Sequence, residues 1–300
     1  MIEITPSIRK RFCKDFNLPI ALFDEPYFSE RLAVVDKVIP CLSDWENFVS
    51  ELRSFQTEQD YFEYYNKVKD TAIQHLKDNP AYIRFNNSEP PVISRLNKAN
   101  LYSETNHDKY FVSIDMRKAN FSALRHYDPK IFDNKETWED WFGQFTDMKH
   151  IIRSKYIRQV IMGACNQKRQ IQYETKLMLD LYEKLNENLP KELQIFCINS
   201  DELVYAFTES IADEKELLDI WAKVSGQVSD KDMFRVELFR IESLGNSKGY
   251  IKHIVNTKEK DYKCISAEEF HMIIKNMLNI PLTENDKVFR YNGRLAKYID

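Results

Sequence analysis

Glycine is scarce in this sequence, six in 300 residues, and no low-complexity run breaks a chain that is 13% aromatic. That composition argues against modules on flexible tethers and for an ordered, compact protein long enough to bury a substantial core. Cysteine is sparse too. Cys13, Cys41, Cys165, Cys197 and Cys264 lie far apart with no C-x-x-C pair, so neither a disulfide framework nor a zinc ribbon is expected, and a reducing compartment is. No uncharged apolar stretch reaches the roughly 18 residues of a membrane span. The amino-terminal MIEITPSIRKRF also lacks the apolar core of a signal peptide, so a soluble, intracellular protein without a membrane partner is expected. There is no surplus of positive charge either: the formal net charge is -4 and the pI is near 6.0, which excludes a basic coating protein and leaves nucleic acid only a local patch to bind. The six histidines show no metal-ligand spacing, and no Walker or Ser/His/Asp pattern occurs.

What is present is a readable order of elements. Helical periodicity runs from Leu42 to about Lys77, through Trp45, Phe48, Leu52 and Phe55 and then Tyr61, Tyr64, Tyr65 and Val68, with Ser43 placed to cap the first turn. Asp78 to Pro91 breaks that pattern and suggests a boundary. A short apolar strand, Tyr110 to Asp115, is followed by helical material through Trp138, Trp141, Phe142 and Phe145, a break at Gly163, and a helix from about Asn166 to Leu185. Two strands, Gln194 to Ile198 and Leu203 to Thr208, flank the turn Asn199-Ser200-Asp201-Glu202; a helix from Asp213 and a strand from Phe234 to Ile241 complete the series.

The order β, α, β-hairpin, α, β is that of an antiparallel sheet with helices on one face, the split βαβ or ferredoxin-like arrangement. The tail predicts strands at Tyr250 to Val255 and Tyr262 to Ile265, a helix opened by a Ser266/Glu269 capping box, and a hairpin at Asn292-Gly293. The expected fold class is therefore α+β in three parts: a mainly helical region 1–90, a sheet domain 91–245 and a small α+β appendage 246–300.

Candidate chemistry follows from this order. Asp115 ends the first strand, and Asp201 and Glu202 occupy the turn of the neighbouring hairpin. Three carboxylates meeting there repel one another unless a cation or proton compensates them, and hard oxygen ligands suit magnesium or manganese. Between these acids, Met148 to Tyr173 carries Lys149, Arg153, Lys155, Arg158, Lys168 and Arg169 and no Asp or Glu. Gly163 and Asn166 lead that segment into a helix start, a favoured seat for phosphate.

Two stretches resemble motifs of nucleic-acid polymerases. Phe111-Val112-Ser113-Ile114-Asp115-Met116-Arg117-Lys118-Ala119-Asn120-Phe121 resembles motif A. Ile198-Asn199-Ser200-Asp201-Glu202-Leu203-Val204-Tyr205 resembles motif C, and is similar to the H-D-E-L-V stretch of family A DNA polymerases with Ser200 in place of the histidine. The compact interval from Asp115 through Gly163 to Asp201 is closer to reverse transcriptases and viral RNA polymerases, with Gly163-Ala164-Cys165-Asn166 at their motif B. The sequence departs from those families in having no Y-x-D-D or G-D-D.

The resemblance implies a polymerase-type palm of about residues 110–255, a fingers equivalent within 1–90, and a thumb-like appendage. It also implies two Mg2+ or Mn2+ ions on Asp115, Asp201 and Glu202, and transfer of nucleoside triphosphates to a nucleic-acid end. Arg153, Lys155, Arg158, Gly163, Asn166, Lys168 and Arg169 would then contact phosphates, and Asn120 would inspect the sugar and tolerate a 2′-hydroxyl. A nucleotide cyclase and a catalytically silent palm serving as a nucleic-acid-binding adaptor are the alternatives, and a protein partner could supply missing polymerase elements.

Overall fold

The computed structural model of the chain describes residues 2–93, 96–209, 211, 213–245 and 249–299. Its elements begin with helices α1 (Pro6–Asp15), α2 (Tyr27–Val35), α3 (Leu42–Leu52), α4 (Glu58–Asp78) and α5 (Pro80–Asn87). Then come β1 (Tyr110–Met116), α6 (Ala119–Tyr127), α7 (Trp138–Phe142), α8 (Lys149–Arg153), α9 (Lys155–Gly163) and α10 (Gln167–Asn186). The remainder is β2 (Leu193–Ile198), β3 (Glu202–Phe207), α11 (Glu214–Gln227), β4 (Phe234–Ser243), β5 (Tyr250–Ile254), β6 (Glu259–Lys263), α12 (Phe270–Met277), β7 (Val288–Tyr291) and β8 (Arg294–Lys297). The protein is thus α+β, with an N-terminal helical region, a six-stranded antiparallel sheet with interspersed helices, and a small C-terminal hairpin. Among the described residues no helix is long and apolar enough to cross a membrane.

Contacts group the chain into two units, and neither follows the continuous cuts at 90 and 245 read from the sequence. One unit takes residues 1–77, 135–165 and 266–300; the other takes 78–134 and 166–265. The cut at 245 adjoins residues 246–248, which lie outside the described residues. β5 and β6, assigned from sequence to a terminal appendage, are strands of the main sheet, because their backbone groups complete the ladder on β4.

The first unit is helical and aromatic. Phe12 of α1 packs on Trp45 and Phe48 of α3 at ring separations of 4.9 and 5.4 Å, and Trp138, Trp141 and Phe142 of α7 are wholly buried. Two of its buried polar groups are paired across elements: Asp15 accepts from Ser154 Oγ at 2.7 Å and from the Tyr65 hydroxyl at 2.9 Å, and His150 lies between the Tyr61 hydroxyl and Glu51.

Local capping differs from the sequence reading in three places. Asp36, rather than Ser43, receives the first N–H groups of α3, from Cys41 and Leu42 at 2.8 and 2.9 Å. The segment read as a break at 78–91 contains α5, because Pro80 sits at its first position and Asn79 Oδ1 accepts the N–H of Ala81 at 2.8 Å. Ser266 and Glu269 do bond to each other, but as a turn ahead of α12. The Asn292-Gly293 hairpin forms as read, with both residues at positive φ (48° and 78°).

A titration follows from the packing of α12 on α2. His271, 2% exposed, bonds through Nε2 to the Asp286 carbonyl at 3.0 Å, among Arg31, Lys275 and the Asp286 carboxylate. Burial, with Arg31 adding to it, lowers its pKa from 6.5 to about 4. Folded His271 therefore binds fewer protons than unfolded His271. Its contribution is complete above about pH 6.5 and is lost as the pH falls toward 4, on the order of 3 kcal/mol in all. Urea unfolding across that range is expected to show a steeper acid loss for wild type than for His271→Leu; parallel curves would refute the assignment.

Candidate functional site

The second unit is built on one sheet of order β2-β3-β1-β4-β5-β6, antiparallel throughout. Strand alternation divides β1. Val112, Ile114 and Met116 point to the helical side, where they bury with Ala123 of α6, Met178 of α10 and Ile220 of α11. Phe111, Ser113 and Asp115 take the other face, where Phe111 buries with Val204, Phe239, Ile241 and Leu101.

Register then places the acids. Asp115 stands directly opposite Glu202 of β3 on one side and Arg235 of β4 on the other, so all three side chains share the face away from the helices. The tip of the β2–β3 hairpin is pinned to β1 by the Met116 N–H, which donates to the Asp201 carbonyl at 2.8 Å. Asp115 and Glu202 are thus cross-strand neighbours, with Asp201 in the adjoining turn. Arg235 Nη2 reaches Asp115 at 3.2 Å and its Nε reaches Glu237 at 3.1 Å, while Lys252 of β5 holds the other Glu237 oxygen at 2.6 Å.

The electrostatics are those of crowded carboxylates. Burial raises the pKa of Asp115, with Arg235 opposing and Asp201 adding to the rise. Burial likewise raises that of Glu202, with Lys252 opposing and both aspartates adding. On the helical side, Glu174 of α10 is pushed up to about 7, first by burial and then by Asp201. The Ser113 hydroxyl, wholly buried, faces Glu202 and favours its ionised form without completing a hydrogen bond. Every donor here is a hard oxygen, which fits Mg2+ or Mn2+ in kind. Among the described residues, no three His, Cys, Asp or Glu side chains stand ready as a metal-binding group; Asp115 is held by Arg235 instead.

The basic segment is divided between the two units. Arg153, Lys155, Arg158 and Gly163 belong to the helical unit, whereas Asn166, Lys168 and Arg169 belong to the sheet unit. Arg153 and Lys155 are exposed; Arg158 is half-buried, and burial lowers its pKa against the pull of Glu139. Asn166 caps α10 through the Arg169 N–H at 3.3 Å. Arg169 spends its guanidinium on the carbonyls of Phe85 (2.6 Å) and Ser88, tying the end of α5 to α10, while Lys168 is exposed. Asn120, in the first turn of α6, accepts the Phe121 N–H at 3.1 Å.

Sequence reading missed Arg235, Glu237, Lys252 and Glu174. The first two carried a signal, since Arg235 and Glu237 are two apart on a strand and must share a face. A cleft of about 450 Å³, lined in part by Tyr110, Phe196, Phe207 and Thr208, opens at the opposite ends of β1 and β3 and does not reach the acids. In comparisons with known proteins, no family model, curated protein or solved structure matches this chain.

Proposed function

We propose that the sheet unit is a polymerase-type palm of split βαβ form and that the protein is a metal-dependent nucleotidyltransferase adding nucleoside triphosphates to a nucleic-acid end. The observation that carries this reading is the register of Asp115 opposite Glu202, with Asp201 in the adjoining turn. The strand order β2-β3-β1-β4, with the helices on the other face, supports it.

Asp115, Asp201 and Glu202 would hold magnesium or manganese, which when bound lowers the pKa of an attacking hydroxyl and stabilises departing pyrophosphate. Arg235 and Lys252 offset part of the mutual repulsion of the acids, opposing the rise in their pKa values. Lys168, exposed in the first turn of α10, offers charge to phosphates; Arg169 serves as a brace. One observation favours a catalytically silent palm acting as a nucleic-acid-binding adaptor: Asp115 already has a cationic partner.

The test is incubation with Mn2+, labelled triphosphates and a primed template, with a parallel reaction lacking nucleic acid. Incorporation that disappears in Asp115→Asn supports the polymerase reading. Salt-sensitive nucleic-acid binding with no incorporation means the adaptor. Cyclic product in the parallel reaction means a cyclase.

A further inference from the structure

The helical unit carries a cleft that no acid lines. Its volume is about 440 Å³, and it is formed by α1, the chain that follows α1 and the start of α9, all within that unit. The charged groups lining it are Lys10, Lys14 and Lys155, all exposed. Asp15, the one acid of α1, turns inward instead and is held by Ser154 and Tyr65. Among the described residues none of the three lysines has a carboxylate within ion-pair distance, whereas lysines elsewhere, such as Lys176 and Lys297, do. Lys10 and Lys14 are four residues apart on one helix, a placement in which like charges repel. In a chain of net charge -4, that is a repulsion the fold does nothing to relieve. The ring at the cleft is already engaged: Lys14 Nζ lies 5.2 Å and the Arg11 guanidinium 4.8 Å from the Tyr156 centroid. Tyr156 therefore positions cations rather than offering a free face to a base.

We propose that this cleft seats the phosphate backbone of nucleic acid through Lys10, Lys14 and Lys155, without reading bases. Lysine meets phosphate as a compact point charge, so three of them recognise charge and spacing rather than the shape of one small ligand. Exposed cations of this kind gain most from an extended polyanion, because each phosphate they neutralise releases a counterion. The amides of Asn17 and Gln159, on the same cleft, add neutral donors. Lys155 comes from the basic segment, but its companions at this site come from α1, far from that segment in sequence. The inference does not rest on the palm reading, since the cleft belongs wholly to the helical unit and needs no chemistry at Asp115.

The experiment is fluorescence anisotropy of labelled single-stranded oligonucleotides of about 20 nucleotides, one oligothymidine and one of mixed sequence, titrated with the full chain over a range of salt. Wild type is compared with the triple variant Lys10→Gln, Lys14→Gln, Lys155→Gln and with a charge-matched control, Lys37→Gln, Lys67→Gln, Lys77→Gln, whose lysines are exposed in the same unit but do not line the cleft. The cleft triple is expected to bind about tenfold or more weakly and to flatten the dependence of log K on log salt by about 2, from about 0.7 per single-strand contact. The control should stay within about threefold of wild type, and both oligonucleotides should bind alike. Lys155→Gln alone, expected to weaken binding about threefold, keeps the test open should the triple variant fail to fold by circular dichroism. Equal losses in the two triples, unchanged binding in the cleft triple, or no binding by wild type overturns the site. A strong preference between the two oligonucleotides overturns recognition of the backbone alone. Inorganic tripolyphosphate as competitor separates sources of phosphate: displacement of the oligonucleotide at equimolar tripolyphosphate would mean a small-polyphosphate site and overturn the nucleic-acid assignment. Asp115→Asn should bind as wild type does, so loss of incorporation and loss of this binding are read independently.

Discussion

Lys252→Met is expected to destabilise the sheet unit by about 3 kcal/mol, toward the lower end of the 3 to 5 kcal/mol typical of breaking a buried ion pair from one side. Lys252 and Glu237 are 6% and 3% exposed in their side chains and 2.6 Å apart. Removing the ammonium leaves a carboxylate buried with one remaining cationic contact, Arg235 Nε at 3.1 Å, which limits the loss. The reciprocal double variant, Lys252→Met with Glu237→Leu, removes both charges at once. It is expected within about 1 kcal/mol of wild type or above it, because neither partner is then left desolvated and alone. Urea unfolding of the two single variants and the double variant forms a complete cycle, and a coupling near zero would show that the pair is not a unit. The same substitution reaches the acids. Lys252 is the main charge opposing the rise in the Glu202 pKa, so its removal also makes the ionised carboxylates harder to hold together.

Asp115→Asn and Asp201→Asn are each expected to lower metal-dependent triphosphate incorporation by about 10³-fold or more, corresponding to about 4 kcal/mol of lost transition-state stabilisation. Folding is expected to behave in the opposite sense for Asp115. Its raised pKa means that the folded environment disfavours the ionised form, so a neutral isostere relieves a penalty present at neutral pH. Asp115→Asn should therefore unfold at a temperature equal to or above that of wild type while losing activity. A fall in both together would mean that Asp115 serves the fold, through its contact with Arg235, rather than chemistry. Primer extension beside thermal unfolding of the same preparations separates these outcomes.

Part of this arrangement was legible from local pattern. In β1 the alternation that sends Val112, Ile114 and Met116 to one face forces Ser113 and Asp115 to the other, whatever the strand pairs with. The turn acids between two short apolar strands marked a hairpin, and the hairpin formed with Asp201 at its tip and Glu202 starting β3. Asn166 before a long helical period marked the start of α10, and it caps there. The polar cluster Asn86-Asn87-Ser88 and the prolines at 90 and 91 hid α5, which Pro80 opens at its first position.

The sequence by itself determined the α+β class, the faces of the strands and the positions of the three acids, since these depend on periodicities of two and 3.6 residues and on turn chemistry within a few neighbours. Only the tertiary structure decided what surrounds those acids. Arg235 and Glu237 arrive on β4, more than a hundred residues after Asp115, Lys252 arrives on β5 and Glu174 comes near Asp201 from α10; these meetings depend on strand order, register and helix packing between segments distant in sequence, which no local pattern encodes. The division of the basic segment between two units at Cys165 and Asn166 is of the same kind. Its residues are contiguous and alike in charge, yet Arg153, Lys155 and Arg158 are carried on helices whose apolar faces bury in one core, and Lys168 and Arg169 on a helix whose apolar face buries in another. Burial of apolar faces is the larger free energy, and the charges follow the faces they are attached to.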